Sequence, residues 1–176
     1  MHMRIIGGKY RNRRLHPPHE MEARPTTDFA KEGLFNVLLH SVPLDGIRVL
    51  DLFAGTGNIS LEFLSRGAQE VVSVEQDRTL YAFMQRTARE LNETGLRMVK
   101  ADVFAFLNGH RSQYDVVFAD PPFDLDGIER IPTLVRDAGL LEVDGTLIVE
   151  HHEKTDLSSV VGYQRTRSYG LIHFSF

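Results

Sequence analysis

Cysteine is absent from the 176 residues, which excludes disulfides and thiolate-ligated metals and fits a reducing compartment. No apolar run approaches the roughly 18 residues of a membrane span, and the N-terminus lacks the apolar core of a secretion signal. Internal repeats, low-complexity stretches and inter-domain linkers are missing too. These absences predict a single cytoplasmic chain, long enough to bury a substantial core without staples. What is present is ordinary for a globular protein, with 42% hydrophobic and 25% charged residues.

Charge is unevenly spread. Residues 1–31 carry a net charge of +4 through Arg4, Lys9, Arg11, Arg13, Arg14, Arg24 and Lys31, and the remainder carries -8. A basic arm on an acidic body points to nucleic acid, although a solvated ribbon would look the same from charge alone. Residues 3–16 read as a β-hairpin or arm, and residues 17–25 as a loop. We therefore divide the chain into an arm, 1–25, and a main domain, 26–176.

Arg24-Pro25-Thr26-Thr27-Asp28 offers capping residues ahead of a helix from about Phe29 to His40. Strand and helix then alternate. Strands are expected at Arg48–Phe53, Glu70–Val74, Arg97–Val99, Asp115–Ala119 and Thr146–Glu150. Helices are expected at Ile59–Ser65, Arg78–Asn92, Phe104–Gly109 and Ile128–Ala138. Tyr163–Arg167 and Leu171–Phe174 read as a terminal antiparallel pair. The pattern predicts an α/β fold, Rossmann-like, with a mostly parallel sheet and helices on both faces.

Within that frame, Asp51-Leu52-Phe53-Ala54-Gly55-Thr56-Gly57-Asn58 is a strand entering a glycine loop and then a helix. Two glycines alone are weak evidence, and the third glycine of a dinucleotide loop is missing, because Ser60 occupies its register. Glu75 closes the next strand, where an acid can accept both hydroxyls of a ribose. Asp102 follows the third strand, where a carboxylate can receive an adenine amino group. Three such features at successive carboxyl edges describe a pocket for an adenosine-containing molecule. A nicotinamide dinucleotide and S-adenosylmethionine both satisfy them.

The stretch Phe118-Ala119-Asp120-Pro121-Pro122-Phe123-Asp124 separates the two. Its prolines stiffen the strand's end and remove two N–H donors, leaving a wall of acceptors. An exocyclic amine, whose lone pair is delocalised into its ring, needs such a wall to hold its hydrogens and turn the lone pair toward a methyl donor. Hydride transfer needs none. Phe123 would stack on the base. His151-His152-Glu153 could touch cofactor or base, reads more readily as a polar loop, and has no evident further ligand for a metal.

Assembled in this way, the chain resembles the RsmD family of class I S-adenosylmethionine-dependent methyltransferases, which methylate N2 of a guanine in small-subunit ribosomal RNA. The resemblance covers nearly the full length. It rests on Met3-Arg4-Ile5-Ile6-Gly7-Gly8-Lys9-Tyr10, on Arg24-Pro25-Thr26, on Glu32 to Leu38, on Asp51 to Gly57 and on Asp120 to Phe123. Phe123 stands where tyrosine is common, and Asn12 where glycine is expected.

The resemblance implies a seven-stranded sheet, with S-adenosylmethionine bound by Asp51, Phe53, Ala54, Gly55, Thr56, Gly57, Asn58, Glu75, Gln76, Asp102 and Val103. It makes Asp120, Pro121, Pro122 and Phe123 the catalytic corner. Arg4, Lys9, Arg11, Arg13, Arg14, Arg24 and Thr26 become RNA contacts, no metal is required, and the partner is ribosomal RNA, free or in an assembling subunit. A DNA adenine-N6 or protein glutamine methyltransferase would use the same corner, but no target-recognition domain is visible. A non-catalytic RNA-binding protein would not need an intact loop and Asp120.

Overall fold

The computed structural model describes residues 3–18 and 26–176, so Arg24 and most of the expected 17–25 loop lie outside the described residues. Near the N-terminus, β1 Met3–Arg4 and β2 Arg14–Leu15 form a short antiparallel hairpin. The rest of the chain contributes β3 Arg48–Leu52, β4 Glu70–Val74, β5 Leu96–Val99, β6 Tyr114–Ala119, β7 Leu141–His152, β8 Thr166–Tyr169 and β9 Ile172–Ser175. These seven make one sheet in the order β5-β4-β3-β6-β7-β9-β8. The first five in that order are parallel, and β9 pairs antiparallel with both β7 and β8. The central strands are buried on both faces, which explains why they read as continuous apolar runs.

Five α-helices among the described residues cover the sheet: α1 Asp28–Leu39, α2 Asn58–Ser65, α3 Arg78–Glu90, α4 Val103–Gly109 and α5 Arg130–Asp137. Side chains from α1, α2 and α3 pack with Val49, Val71, Val116, Phe118 and Ile148 on one face. Those of α4 and α5 pack with Leu50, Val72, Val117 and Val149 on the other. Thr27 caps α1, accepting from the Ala30 amide, and Asp77 and Asp102 cap α3 and α4. Chain order reverses between β3 and β6, and open α/β sheets bind ligands at such a crevice. Among the described residues, no helix is long and apolar enough to cross a membrane.

Some boundaries differ from expectation for identifiable reasons. β7 begins five residues early because Leu141 pairs with Tyr114 ahead of a bulge that includes Asp144 at φ 64°. It also runs on through His152, so His151 and His152 belong to a strand and not a loop. The terminal hairpin turns at Gly170-Leu171, one step later than expected, because Tyr169 stays paired with Ile172.

The inner residues of the N-terminal hairpin, Met3, Ile5 and Leu15, join the core beside α1 and α2. Close contact requires the glycine that follows β1: a Cβ on Gly8 would sit 1.8 Å from the Ser65 carbonyl oxygen at the end of α2. Asn12 lies at φ 68°, a left-handed conformation that asparagine tolerates, so it can stand where glycine was expected.

Candidate active site

The glycine loop leaves β3 through three left-handed residues, Phe53 at φ 62°, Gly55 at 56° and Gly57 at 75°. Phe53 bears the conformational cost as the non-glycine of the three, and its ring meets Phe104 edge-on with centroids 6.5 Å apart. The two glycines serve different ends. A Cβ on Gly57 would lie 2.6 Å from Met84 Sδ, so this glycine makes room for α3. A Cβ on Gly55 would meet only the Phe53 carbonyl oxygen at 3.9 Å, which leaves that side open for close approach of a ligand.

Glu75, 8% exposed, ties the loop to β4. Its two oxygens accept the Gly55 and Asp77 amides, each at 2.7 Å, and burial raises its carboxyl above the usual carboxylate range despite them. Each oxygen keeps a lone pair that a ribose hydroxyl can use. Gln76 is exposed beside it. Farther along the same edge, Asp102 is exposed and accepts the Ala105 amide at 2.9 Å, with Val103 buried next to it in the chain.

Other residues of the loop support it from beneath. Asp51 is buried and accepts the Ser60 hydroxyl, and Ser60 contacts the Ser73 hydroxyl at 2.6 Å. The residue that replaces a third glycine therefore anchors a buried acid. Burial pushes Asp51 up to about 7. Ala54 is buried, and Thr56 donates to Met3 Sδ. Asn58 accepts from Lys31 Nζ at 2.8 Å and donates to the Thr26 carbonyl.

Across the switch point stands the acceptor corner. Strand alternation puts Asp51 and Asp120 on the α1–α2 face, because Val49 and Phe118, two residues before each, pack there. Pro121 is buried and Pro122 exposed, and the Leu125 amide donates to the Pro122 carbonyl to close the turn. Phe123 is 51% exposed, with its ring edge-on to His152 at a centroid distance of 5.7 Å. The Asp120 carboxyl is raised well above its usual range, first by desolvation and then by the charges of Glu150 and Asp51.

Glu150 is a residue that the sequence reasoning did not single out. Ala119 pairs with Val149, so Asp120, the first residue after β6, and Glu150, the next residue of β7, come at the same level of neighbouring strands, and continued alternation gives them the same face. Glu150 is 3% exposed and accepts the Thr26 hydroxyl at 2.8 Å. Burial pushes it up to about 7 against the pull of that bond. The available signal is parity: Thr146–Glu150 ends on an acid in the same manner as the strand before Asp120. Thr26, expected at the RNA surface, is 6% exposed and faces this carboxyl.

His151 is buried and bonded to the Ser175 hydroxyl at 2.7 Å. Among the described residues, no group of three His, Asp or Glu side chains could hold a metal ion.

A second buried acid, Glu62 on α2, also lies outside what the motifs mark. It accepts the Ile6 and Gly7 amides at 3.0 and 2.8 Å, Arg66 at 2.9 Å and the fully buried Lys31 at 3.2 Å. Burial lowers the Lys31 pKa, and its place on the apolar face of α1 with Leu34, Phe35 and Leu38 is one where a lysine needs an anion. This network holds the arm in place. On the arm's outer side, Arg4 pairs with Asp28 and Lys9 with Glu93, whereas Arg11, Arg13 and Arg14 are exposed and make no ion pair among the described residues.

This geometry agrees with what the chain is similar to. The sequence model of the family described as "Conserved hypothetical protein 95" matches residues 3–176. The chain belongs to that family. It is 35% identical over 158 residues to "Ribosomal RNA small subunit methyltransferase D" of Escherichia coli K12, covering 90% of this chain and 79% of the relative. The Haemophilus influenzae protein of the same name is 32% identical over 152 residues, covering 84% and 78%. The solved structure of yhhF from Escherichia coli superposes with a TM-score of 0.86 at 31% identity, covering 99% of this chain and 96% of that one. The fold is that of the class I S-adenosylmethionine-dependent methyltransferases.

Proposed function

We propose that this protein transfers a methyl group from S-adenosylmethionine to the exocyclic N2 amine of a guanine in small-subunit ribosomal RNA, acting in the cytoplasm without a metal. The observation that carries this reading is the acceptor corner beside an open glycine loop, with the half-exposed ring of Phe123 at its rim. The names of the two ribosomal RNA methyltransferase relatives support the RNA substrate.

The pocket residues fit the cofactor. Gly55 leaves room at the loop, Glu75 keeps lone pairs for two hydroxyls, and Asp102 stands exposed at the edge where an adenine amine would lie. The cofactor supplies an electrophilic methyl group on a sulfonium. The protein supplies position and electrostatics. Asp120 and the Pro121 carbonyl accept the two amine hydrogens and aim the nitrogen lone pair. As the nitrogen turns cationic, the negative corner stabilises it without reorganising. A paired guanine could not present its amine here, so the target base must be unpaired or flipped out. Arg11, Arg13 and Arg14, with Arg24, contact the RNA backbone.

The test is transfer of labelled methyl to small-subunit RNA from a strain lacking the gene, with the modified nucleoside identified. The expected product is N2-methylguanosine; a methyl on a ring carbon or ribose oxygen would refute the amine mechanism.

A further inference from the structure

We infer that Glu150 is a positioning residue for methyl transfer: it shares a proton with Asp120 and is where the proton released by the methylated amine comes to rest. This rests on the amine-methyltransferase reading above and adds a destination for the proton. Three observations carry it. Strand register carries Asp120 and Glu150 to the same end of neighbouring strands, each one residue beyond the paired Ala119 and Val149, and the Glu150 charge acts on Asp120. Glu150 is almost wholly buried and, among the described residues, has a single hydrogen-bond donor, the Thr26 hydroxyl at 2.8 Å. The donor itself is fixed in turn, because Asn58 holds the Thr26 carbonyl and Lys31 holds Asn58.

Among the described residues, the surroundings give this pair no counter-charge. Desolvation is the main cause that raises these acids; Asp51 on β3 adds its charge to both carboxyls, and Glu75, just after β4, adds its charge to Asp51. Lys31 and Glu62 stand behind Asn58 and neutralise one another. On β7 itself the neighbouring His151 points to the opposite face, toward Ser175. Two neighbouring carboxyls drawn out of water, Glu150 buried and Asp120 half-buried, cannot both ionise cheaply, so near neutral pH the pair keeps one proton and one negative charge.

In the reaction the amine nitrogen forms its bond to the methyl carbon, and the carbon–sulfur bond breaks with its electron pair moving to sulfur. The nitrogen then gives one hydrogen, as a proton, to the Asp120 oxygen that already accepts it. The proton shared by the pair settles on Glu150, leaving both carboxyls neutral and the product amine uncharged. Release of product to solvent returns the proton to water.

The test uses Glu150→Gln and Thr26→Val in the full-length protein, with thermal unfolding to confirm folding. In carbon-13 spectra of the substrate-free wild type, the Glu150 carboxyl should titrate at about 7 and Asp120 well above the usual carboxylate range. Glu150→Gln should move the Asp120 titration to lower pH, because a repelling charge is gone. Single-turnover methyl transfer by the wild type should rise with pH through the same step. Glu150→Gln should lose that step and about tenfold or more in rate, within reach of proton transfer by a placed side chain, with cofactor and RNA affinity unchanged.

Thr26→Val should shift the rise to higher pH, since the hydroxyl's bond favours the ionised Glu150, and Thr26→Ser should restore it. An Asp120 titration indifferent to Glu150→Gln, or an unaltered rate profile in that variant, would overturn the inference. If the wild type transferred no methyl group to RNA, the proposed function would fail, while proton sharing would still be decided by the spectra.

Discussion

Glu62 and the Asp120–Glu150 pair are desolvated acids on the same side of one sheet, and the fold treats them in opposite ways. Glu62 is saturated, with two backbone amides, a lysine and an arginine on its two oxygens. Glu150 receives one hydroxyl, and Asp120 is raised by desolvation and then by two like charges. A saturated acid recovers its desolvation cost and fixes structure; here it locks the arm onto α2. An undersupplied acid destabilises the fold and retains capacity to accept hydrogens from something else. On the function proposed above, the difference separates an acid that serves architecture from a pair that serves chemistry.

Glu62→Ala should break the comparison on the structural side with the largest effect. It strands Lys31 and two amides, and should cost about 3–5 kcal/mol in chemical denaturation, typical of removing one partner of a buried pair. Glu150→Gln should act in the opposite direction. Its folded value of about 7 lies above the usual carboxylate value, so the folded state holds a proton that the unfolded chain releases. The stability from this group is therefore full at acid pH and declines as pH rises toward about 7. At a pH of about 8 the Gln variant should be more stable than wild type, and at about 4 nearly equal to it; denaturation at the two pH values checks this.

Phe123→Ala should weaken use of RNA by about 1–3 kcal/mol, the worth of one base stack, and Phe123→Tyr should be nearly silent, both read from single-turnover rates against RNA concentration. The smallest effect per residue is expected on the arm. Replacing Arg11, Arg13 and Arg14 with Ala should reduce the slope of RNA affinity against salt by about one for each phosphate no longer neutralised. Arg4→Ala or Lys9→Ala should change it less, because those charges already pair with Asp28 and Glu93. An unchanged slope in the triple variant would show the arm to be a solvated ribbon.

Much of this is legible in the chain. Alternating apolar runs mark the sheet and its helices because both periodicities are local, and the glycine loop and the Asp120 corner announce themselves by composition. What stays hidden depends on which residues meet across the fold. Glu62 lies in an apolar helix and Lys31 on an apolar helical face, but nothing local says that the two are partners. Gly7 and Gly8 lie in a stretch that reads only as a hairpin or arm, although a left-handed φ of 72° and close contact with α2 are what require Gly8. Thr26 reads as surface because its partner, Glu150, is 124 residues away. Pairing across β6 and β7 brings Glu150 beside Asp120, and that register is a property of the assembled sheet.

The contrast between the two kinds of acid is tested most directly at Asp120. Asp120→Asn should be measured for cofactor binding by calorimetry, for unfolding free energy, and for single-turnover methyl transfer to small-subunit RNA. The account predicts unchanged cofactor affinity, stability equal to or above wild type at a pH of about 8, and a rate lower by roughly two orders of magnitude or more, as for a positioned electrostatic group. A variant that keeps its rate, or one that loses stability on the scale expected of Glu62→Ala, would contradict it.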